Sequence, residues 1–124
     1  MLELPKQTRF DLIIPVEDWD LDLAFIDGSN DDAAIEINTA RAQIYDLDGA
    51  LLFDLTEGDG ITVNGNVVTL EISFADMDAY NTSVANVDTT GQWDMLVQRA
   101  VDSKLKRWFY GAVTFPKKLT TSIS

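Results

Sequence analysis

Six aspartates fall between residues 18 and 32: Asp18, Asp20, Asp22, Asp27, Asp31 and Asp32. Carboxylate oxygens are the ligands calcium prefers, and it takes six to eight of them. The spacing does not follow the helix-loop-helix calcium pattern, which needs a central glycine and a terminal glutamate. Asp18, Asp20 and Asp22 alternate with Trp19 and Leu21. On a strand they line one face about 7 Å apart, too far to share one ion without help from a loop. The reading is a solvated strand face followed by a loop. Paired-acid hydrolysis needs two carboxyls at a fixed separation in a cleft, one with a raised pKa. Nothing in the sequence singles out such a pair. The chain has no cysteine and no histidine, which removes thiol nucleophiles, Cys/His zinc sites and the commonest general base. No glycine-rich phosphate loop and no serine elbow is present. The expectation is a non-enzymatic protein without cofactor or bound metal.

Aromatic residues are the other candidates. Trp19, Trp93 and Trp108 supply flat apolar faces on which sugars stack. Trp93 shares a face with Met95 and Val97 and reads as core. Trp108 and Tyr110 read as a platform for a sugar or for another protein, and the sequence does not choose.

Charge narrows the partners. The net charge is −12, and binding to phosphates depends on clustered Lys and Arg, so neither nucleic acid nor an anionic membrane is an expected partner. No run of eighteen apolar residues suits a membrane helix. Met1-Leu2-Glu3-Leu4-Pro5 lacks the basic and apolar parts of a secretory signal. The charge is unevenly spread. Residues 1–32 hold nine acids against Lys6 and Arg9, whereas residues 99–118 hold Arg99, Lys104, Lys106, Arg107, Lys117 and Lys118 against Asp102. Such asymmetry suits head-to-tail contacts, or lysines guarding an edge strand.

The elements that position these residues follow from a two-residue period. Ala40, Ala42 and Ile44 face one way, as do Leu51, Phe53 and Leu55, then Val68, Leu70, Ile72 and Phe74. Asp48-Gly49, Gly58-Asp59-Gly60 and Asn64-Gly65 are turn signals between them. The prediction is an antiparallel meander. Before it, Thr8 to Val16 reads as a strand in which Pro15 marks an edge, a bulge or the end, and Glu17 to Phe25 reads as a second strand or its continuation beyond a kink. After it, residues 75–80 read as a short helical turn and 81–91 as a loop. Gln92 to Val101 and Leu105 to Phe115 read as a final hairpin reversing at Asp102-Ser103. Seven or eight short strands in 124 residues indicate one all-β domain, an antiparallel β-sandwich of immunoglobulin-like type. It carries an acidic segment over residues 1–38 and a loose tail over 117–124.

One hairpin breaks the pattern. Phe109, Val113 and Phe115 share a face with Leu105, whereas Trp108 and Tyr110 lie on the other face with Lys106 and Thr114; Leu96 and Ala100 lie opposite Trp93 and Val97. Either the acidic segment or another chain covers the second apolar face.

From Ala40 to Phe115 the ordered features resemble a family of small phage and prophage β-sandwich domains. The pieces are Thr39 to Asp46, Asp48-Gly49 with Leu51 to Leu55, Gly60 to Gly65, and Val67 to Ile72 with the turn at Ala75–Ala79. Gln92 to Val97 and Trp108 to Phe115, with a strand glycine at Gly111, complete them. The family is similar to the N-terminal domain of siphophage baseplate upper proteins and to related tail-associated modules. The resemblance implies a structural protein of a tailed phage virion, made in the host cytoplasm and assembled with itself and other phage proteins at the tail, baseplate or neck. The expected contact uses Trp108, Tyr110 and Leu96, with Lys104, Lys106 and Arg107 pairing to Asp18, Asp20 or Asp22 of another copy. The competing reading is a carbohydrate-binding or host-receptor module built on the same aromatics.

Overall fold

The computed structural model describes residues 8–27 and 33–118. Its strands in chain order are β1 (Thr8–Arg9), β2 (Leu12–Ile13), β3 (Trp19–Ala24), β4 (Ile26–Asp27), β5 (Ala33–Ala34), β6 (Ile37–Asp46), β7 (Leu51–Glu57), β8 (Gly60–Asn64) and β9 (Val67–Ile72). A helix, α1 (Phe74–Ser83), precedes β10 (Thr89–Arg99) and β11 (Leu105–Phe115). The fold is all-β, with one helix among the described residues. Nine strands form a single hydrogen-bonded sheet in the order β1-β11-β10-β6-β7-β8-β9-β3, with β2 also on β11; β4 and β5 form a small separate hairpin. The sheet curls on itself as a half-barrel, in place of the two separate sheets of a sandwich. Inward residues of β3, β6, β8, β9, β10 and β11 meet in one core cluster.

The two-residue period sets the inward faces. Ala40, Ala42 and Ile44, then Val68, Leu70 and Ile72, then Trp93, Met95 and Val97 are all buried. Three pairings are parallel, which a meander does not contain: β1 with β11, β2 with β11, and β7 with β8. The last arises at a tight corner. Gly58 and Gly60 take φ of 86° and 98°, and the Thr56 and Asp59 amides donate to each other's carbonyls at 3.1 and 2.8 Å. β8 therefore leaves in the direction of β7, with Thr56 beside Gly60. A Cβ on Gly60 would lie 2.7 Å from Leu55 Cδ2 and 3.2 Å from Glu71 O, so the corner closes only around glycine.

Residues 75–80 belong to a longer helix than their sequence suggested. Ser73 caps α1 by accepting from the Asp76 amide at 3.2 Å, so Phe74 opens the helix and is exposed where β periodicity had it buried. Met77 and Asn81 are buried, and the Tyr80 ring packs on Phe115 at 4.8 Å and Phe53 at 5.9 Å. The expected loop over 81–91 shrinks accordingly, because α1 runs to Ser83 and β10 starts at Thr89.

The first expected strand is cut in two. Between β1 and β2 the Phe10 carbonyl accepts from Trp93 Nε1 at 2.6 Å. The Asp11 carboxylate takes the Ala112 amide at 2.9 Å, supplying the bond that a backbone carbonyl would give. A Cβ on Gly111 would fall 2.4 Å from Phe10 O and 2.8 Å from Asp11 Oδ1. Glycine is thus what lets this edge approach.

Candidate interaction surface

The last hairpin carries most of the predicted contact residues, and a β-bulge re-sorts them. Met95 pairs with Phe109 but Leu96 pairs with Arg107, so Trp108 is an extra residue on β11. The bulge turns Trp108 inward beside Phe109. Trp108 is 5% exposed and packs edge-on against Phe25 with ring centres 5.0 Å apart. This corrects the expectation that Trp108 joins Tyr110 on the outer face: Trp108 is core and cannot be an exposed contact. Its Nε1 is buried without a hydrogen-bond partner among the described residues. Leu105 changes sides as well. It pairs with Gln98 on the outer face and is 59% exposed, away from Val113 and Phe115.

The outer face of β10 and β11 keeps Leu96, Tyr110 and Arg107. Leu96 is half-buried, in register between Arg41 of β6 and Arg107. Tyr110 is 37% exposed and opposite Asp94. With Arg9, Tyr45, Gln92, Arg107 and Ala112 it borders an open depression of about 500 Å³. The charges here are largely neutralised within the molecule. Arg107 Nε lies 3.3 Å from Asp94. Arg41 and Asp54 form a two-pronged pair at 2.9 and 2.7 Å. The hydrogen bonds that Arg41 donates hold the Asp54 carboxyl below the usual carboxylate range, and the same bonds raise the Arg41 pKa.

The reversal between β10 and β11 spans more than Asp102-Ser103. Ser103 takes a left-handed φ of 55° without being glycine, and its amide donates to Arg99 O at 2.9 Å. Asp102 ties the turn by accepting from the Lys104 amide at 3.1 Å and from the Arg99 guanidinium. Burial pushes the Asp102 pKa up, but the Lys104 amide and Arg99 outweigh it, and the net shift is downward. Lys104 and Lys106 are exposed. Among the described residues neither forms an ion pair.

The three predicted acids lie on β3 or just before it, at the far end of the strand order. Two of them have structural partners. Asp18 accepts from the Phe74 amide at 2.7 Å, holding the start of α1, and Asp22 accepts from Thr69 Oγ1 at 2.7 Å. Asp20 stands in register with Glu71. Like charges directly opposite destabilise a strand pair, and this one is exposed and without an ion-pair partner among the described residues. The acids spread along the strand with different partners. Among the described residues no group of three or more acidic side chains converges as a metal-binding set. Asp31 and Asp32 of the acidic cluster, and residues 119–124 of the expected tail, lie outside the described residues.

The structure therefore gathers Leu96, Tyr110 and Arg107 on one face and leaves Lys104 and Lys106 at the hairpin end. Within one molecule these basic residues and the acids on β3 do not pair. Alternation puts Tyr45 and Arg9 on outward faces but does not bring them beside Tyr110, and it sets Leu105 with Val113 and Phe115, where the bulge turns it outward. No helix of the described residues is long and apolar enough to cross a membrane.

No protein-family model matches the chain, and no curated protein matches it. Among solved structures, the chain is similar to the crystal structure of the periplasmic chaperone SfaE, at 9% identity with a TM-score of 0.42. The alignment covers 95% of this chain and 59% of the chaperone chain, so the protein spans well under two thirds of that neighbour's length.

Proposed function

We propose that the protein is a non-enzymatic assembly module that works by docking onto further copies of itself and onto unlike partners. The resemblance of residues 40–115 to tail-associated phage domains makes a tailed phage virion, at tail, baseplate or neck, the setting for this role. The observation that carries the reading is the separation of unneutralised charge. Asp20 and Glu71 lie on one part of the sheet and Lys104 and Lys106 at the end of β10 and β11, each exposed and without an ion pair among the described residues. Opposite charges at distinct places on one surface favour a heterologous contact, in which one patch of a molecule meets a different patch of the next.

The test is self-association against salt. In about 50 mM salt, light scattering is expected to show a mass that rises with protein concentration, falling back to the monomer in about 1 M salt, where exposed charges are screened within about 3 Å. Lys104→Asp with Lys106→Asp is expected to abolish the rise while leaving the circular dichroism spectrum unchanged. Salt-independent monomers at every concentration would contradict self-assembly.

The depression lined by Tyr45 and Tyr110 favours a second reading, a carbohydrate or receptor site, because two tyrosines border it together with the polar Gln92, Asp94 and Arg107. Tyr110→Ala separates the two: lost glycan binding with intact self-association supports recognition.

A further inference from the structure

The two ends of the strand order are finished differently. β1 and β2 are two residues each and interrupted, whereas β3 is six residues with a continuous register on β9 and no neighbour on its other side among the described residues. The Phe25 amide donates to Asn66 O at 2.8 Å. Amide direction alternates along a strand, so the odd-numbered residues of β3 bond β9 while Asp20, Asp22 and Ala24 turn N–H and C=O to the open side. Trp19 and Leu21, inward but next to this edge, stay half-buried, whereas Leu23 is buried.

A complementary edge exists on the same chain. Among the described residues, Leu105–Arg107 have β10 on one side only, and the described pairing with β1 starts at Phe109. The Arg99 amide donates to Lys104 O at 3.2 Å. Lys104 and Lys106 therefore direct their amide groups to β10, and Leu105 and Arg107 direct theirs outward. The side chains read Lys-Leu-Lys against Asp-Leu-Asp, each pair of charges two residues and about 7 Å apart.

Backbone direction selects the pairing. In an antiparallel pair the seam-facing residues oppose each other, which would set Leu105 against an aspartate and a lysine against Leu21. In a parallel pair a seam-facing residue stands opposite one that faces away. That arrangement sets Lys104 against Asp20, Lys106 against Asp22 and Leu105 beside Leu21. β11 already accepts parallel partners in β1 and β2. Leu21 points into its own core whereas Leu105 lies on the outer face of its own sheet, so the two bodies sit on opposite faces of the shared sheet and do not collide. Pairing of β3 with a second β3 would stack aspartates on aspartates, which the edge rejects.

We infer that the free edge of β3 receives Lys104–Arg107 of a second copy as an added parallel strand. This rests on the self-assembly reading and specifies its contact. Each copy then keeps one unused edge, so the contact propagates as a ring or a filament.

The absence of native cysteine makes the test direct. Leu21→Cys and Leu105→Cys, in separate chains, are mixed and oxidised in about 50 mM salt, where exposed charges still attract over more than about 10 Å. A disulfide requires Cα atoms within about 7 Å. The expected result is a cross-linked dimer that stops at two chains; the two substitutions in one chain give a ladder instead. Both products are lost in about 1 M salt, where that attraction is screened. A separate pair tests the charges: Asp20→Lys with Asp22→Lys abolishes association, and adding Lys104→Asp and Lys106→Asp to the same chain restores it. Association by light scattering without the Leu21–Leu105 cross-link, or with stronger cross-linking of Leu21→Cys to Lys106→Cys, overturns this contact and leaves self-assembly standing. Monomers under all conditions overturn both.

Discussion

The two edges of the sheet answer the same problem in opposite ways. Any edge strand exposes unpaired N–H and C=O groups and invites another chain. At the β1–β2 edge the chain breaks after Arg9, the Asp11 side chain takes the Ala112 amide, and Trp93 pins the Phe10 carbonyl. Among the described residues, little continuous backbone is left to pair beyond β1 and β2. At the β3 edge the backbone is unbroken and the guard is electrostatic: Asp20 and Asp22 outside, Asp20 opposite Glu71. A steric guard excludes every strand, whereas a charged guard excludes only strands of the same sign. On the proposed assembly, the difference makes one edge a closure and the other a selective port.

The largest expected effect lies at the closed edge. Gly111→Ala drives a Cβ into the Phe10 carbonyl, a backbone atom that cannot swing away. It is expected to cost about 3 kcal/mol in denaturant unfolding, with β1 and β2 released from β11. A cost below about 0.5 kcal/mol would mean that the edge is not held by close approach. A smaller effect distinguishes two buried indoles. Trp93→Phe removes the hydrogen bond to Phe10 O, whereas Trp108→Phe removes a buried N–H that has no partner. Trp93→Phe is therefore expected to cost about 1 kcal/mol more than Trp108→Phe. Equal costs would remove Trp93 from the account of the closed edge.

Much of the scaffold was legible because burial enforces a two-residue period. Ala40, Ala42 and Ile44 were assigned inward from alternation alone, as were Trp93, Met95 and Val97, and all six are buried. The last strand was bounded at Leu105 and Phe115, where it lies. What alternation could not supply was the bulge that brings Trp108 inward, because an inserted residue leaves the chemistry of its neighbours unchanged. The parallel corner at Gly58–Gly60 looked like an ordinary hairpin turn because both use glycine at positive φ. The full length of α1 was signalled by Ser73 three residues before Asp76, a capping pattern outweighed by the β period running into Phe74.

The candidate site divides along the same line. Its charge asymmetry was plain in composition. Which charges remain unengaged was not, because Asp18 meets the Phe74 amide and Asp22 meets Thr69 across 56 and 47 residues. The open edge was equally hidden, since strand order is set by pairings distant in sequence. Trp108 and Tyr110 are two residues apart, and alternation alone places them in one patch. Three-dimensional packing gives them to the core and to the surface respectively.

Amide hydrogen exchange, followed as a function of protein concentration, tests the central claim most directly. Phe10 and Ile14, whose amides donate to Tyr110 O and Thr114 O at 2.8 and 2.9 Å, are expected to be protected at every concentration. The amides of Asp20 and Asp22 are expected to exchange freely in dilute protein and to become protected as concentration rises in low salt, together with Leu105 and Arg107. Protection of Asp20 and Asp22 already complete in the dilute monomer, or protection that grows elsewhere while these four amides stay open, would contradict the account.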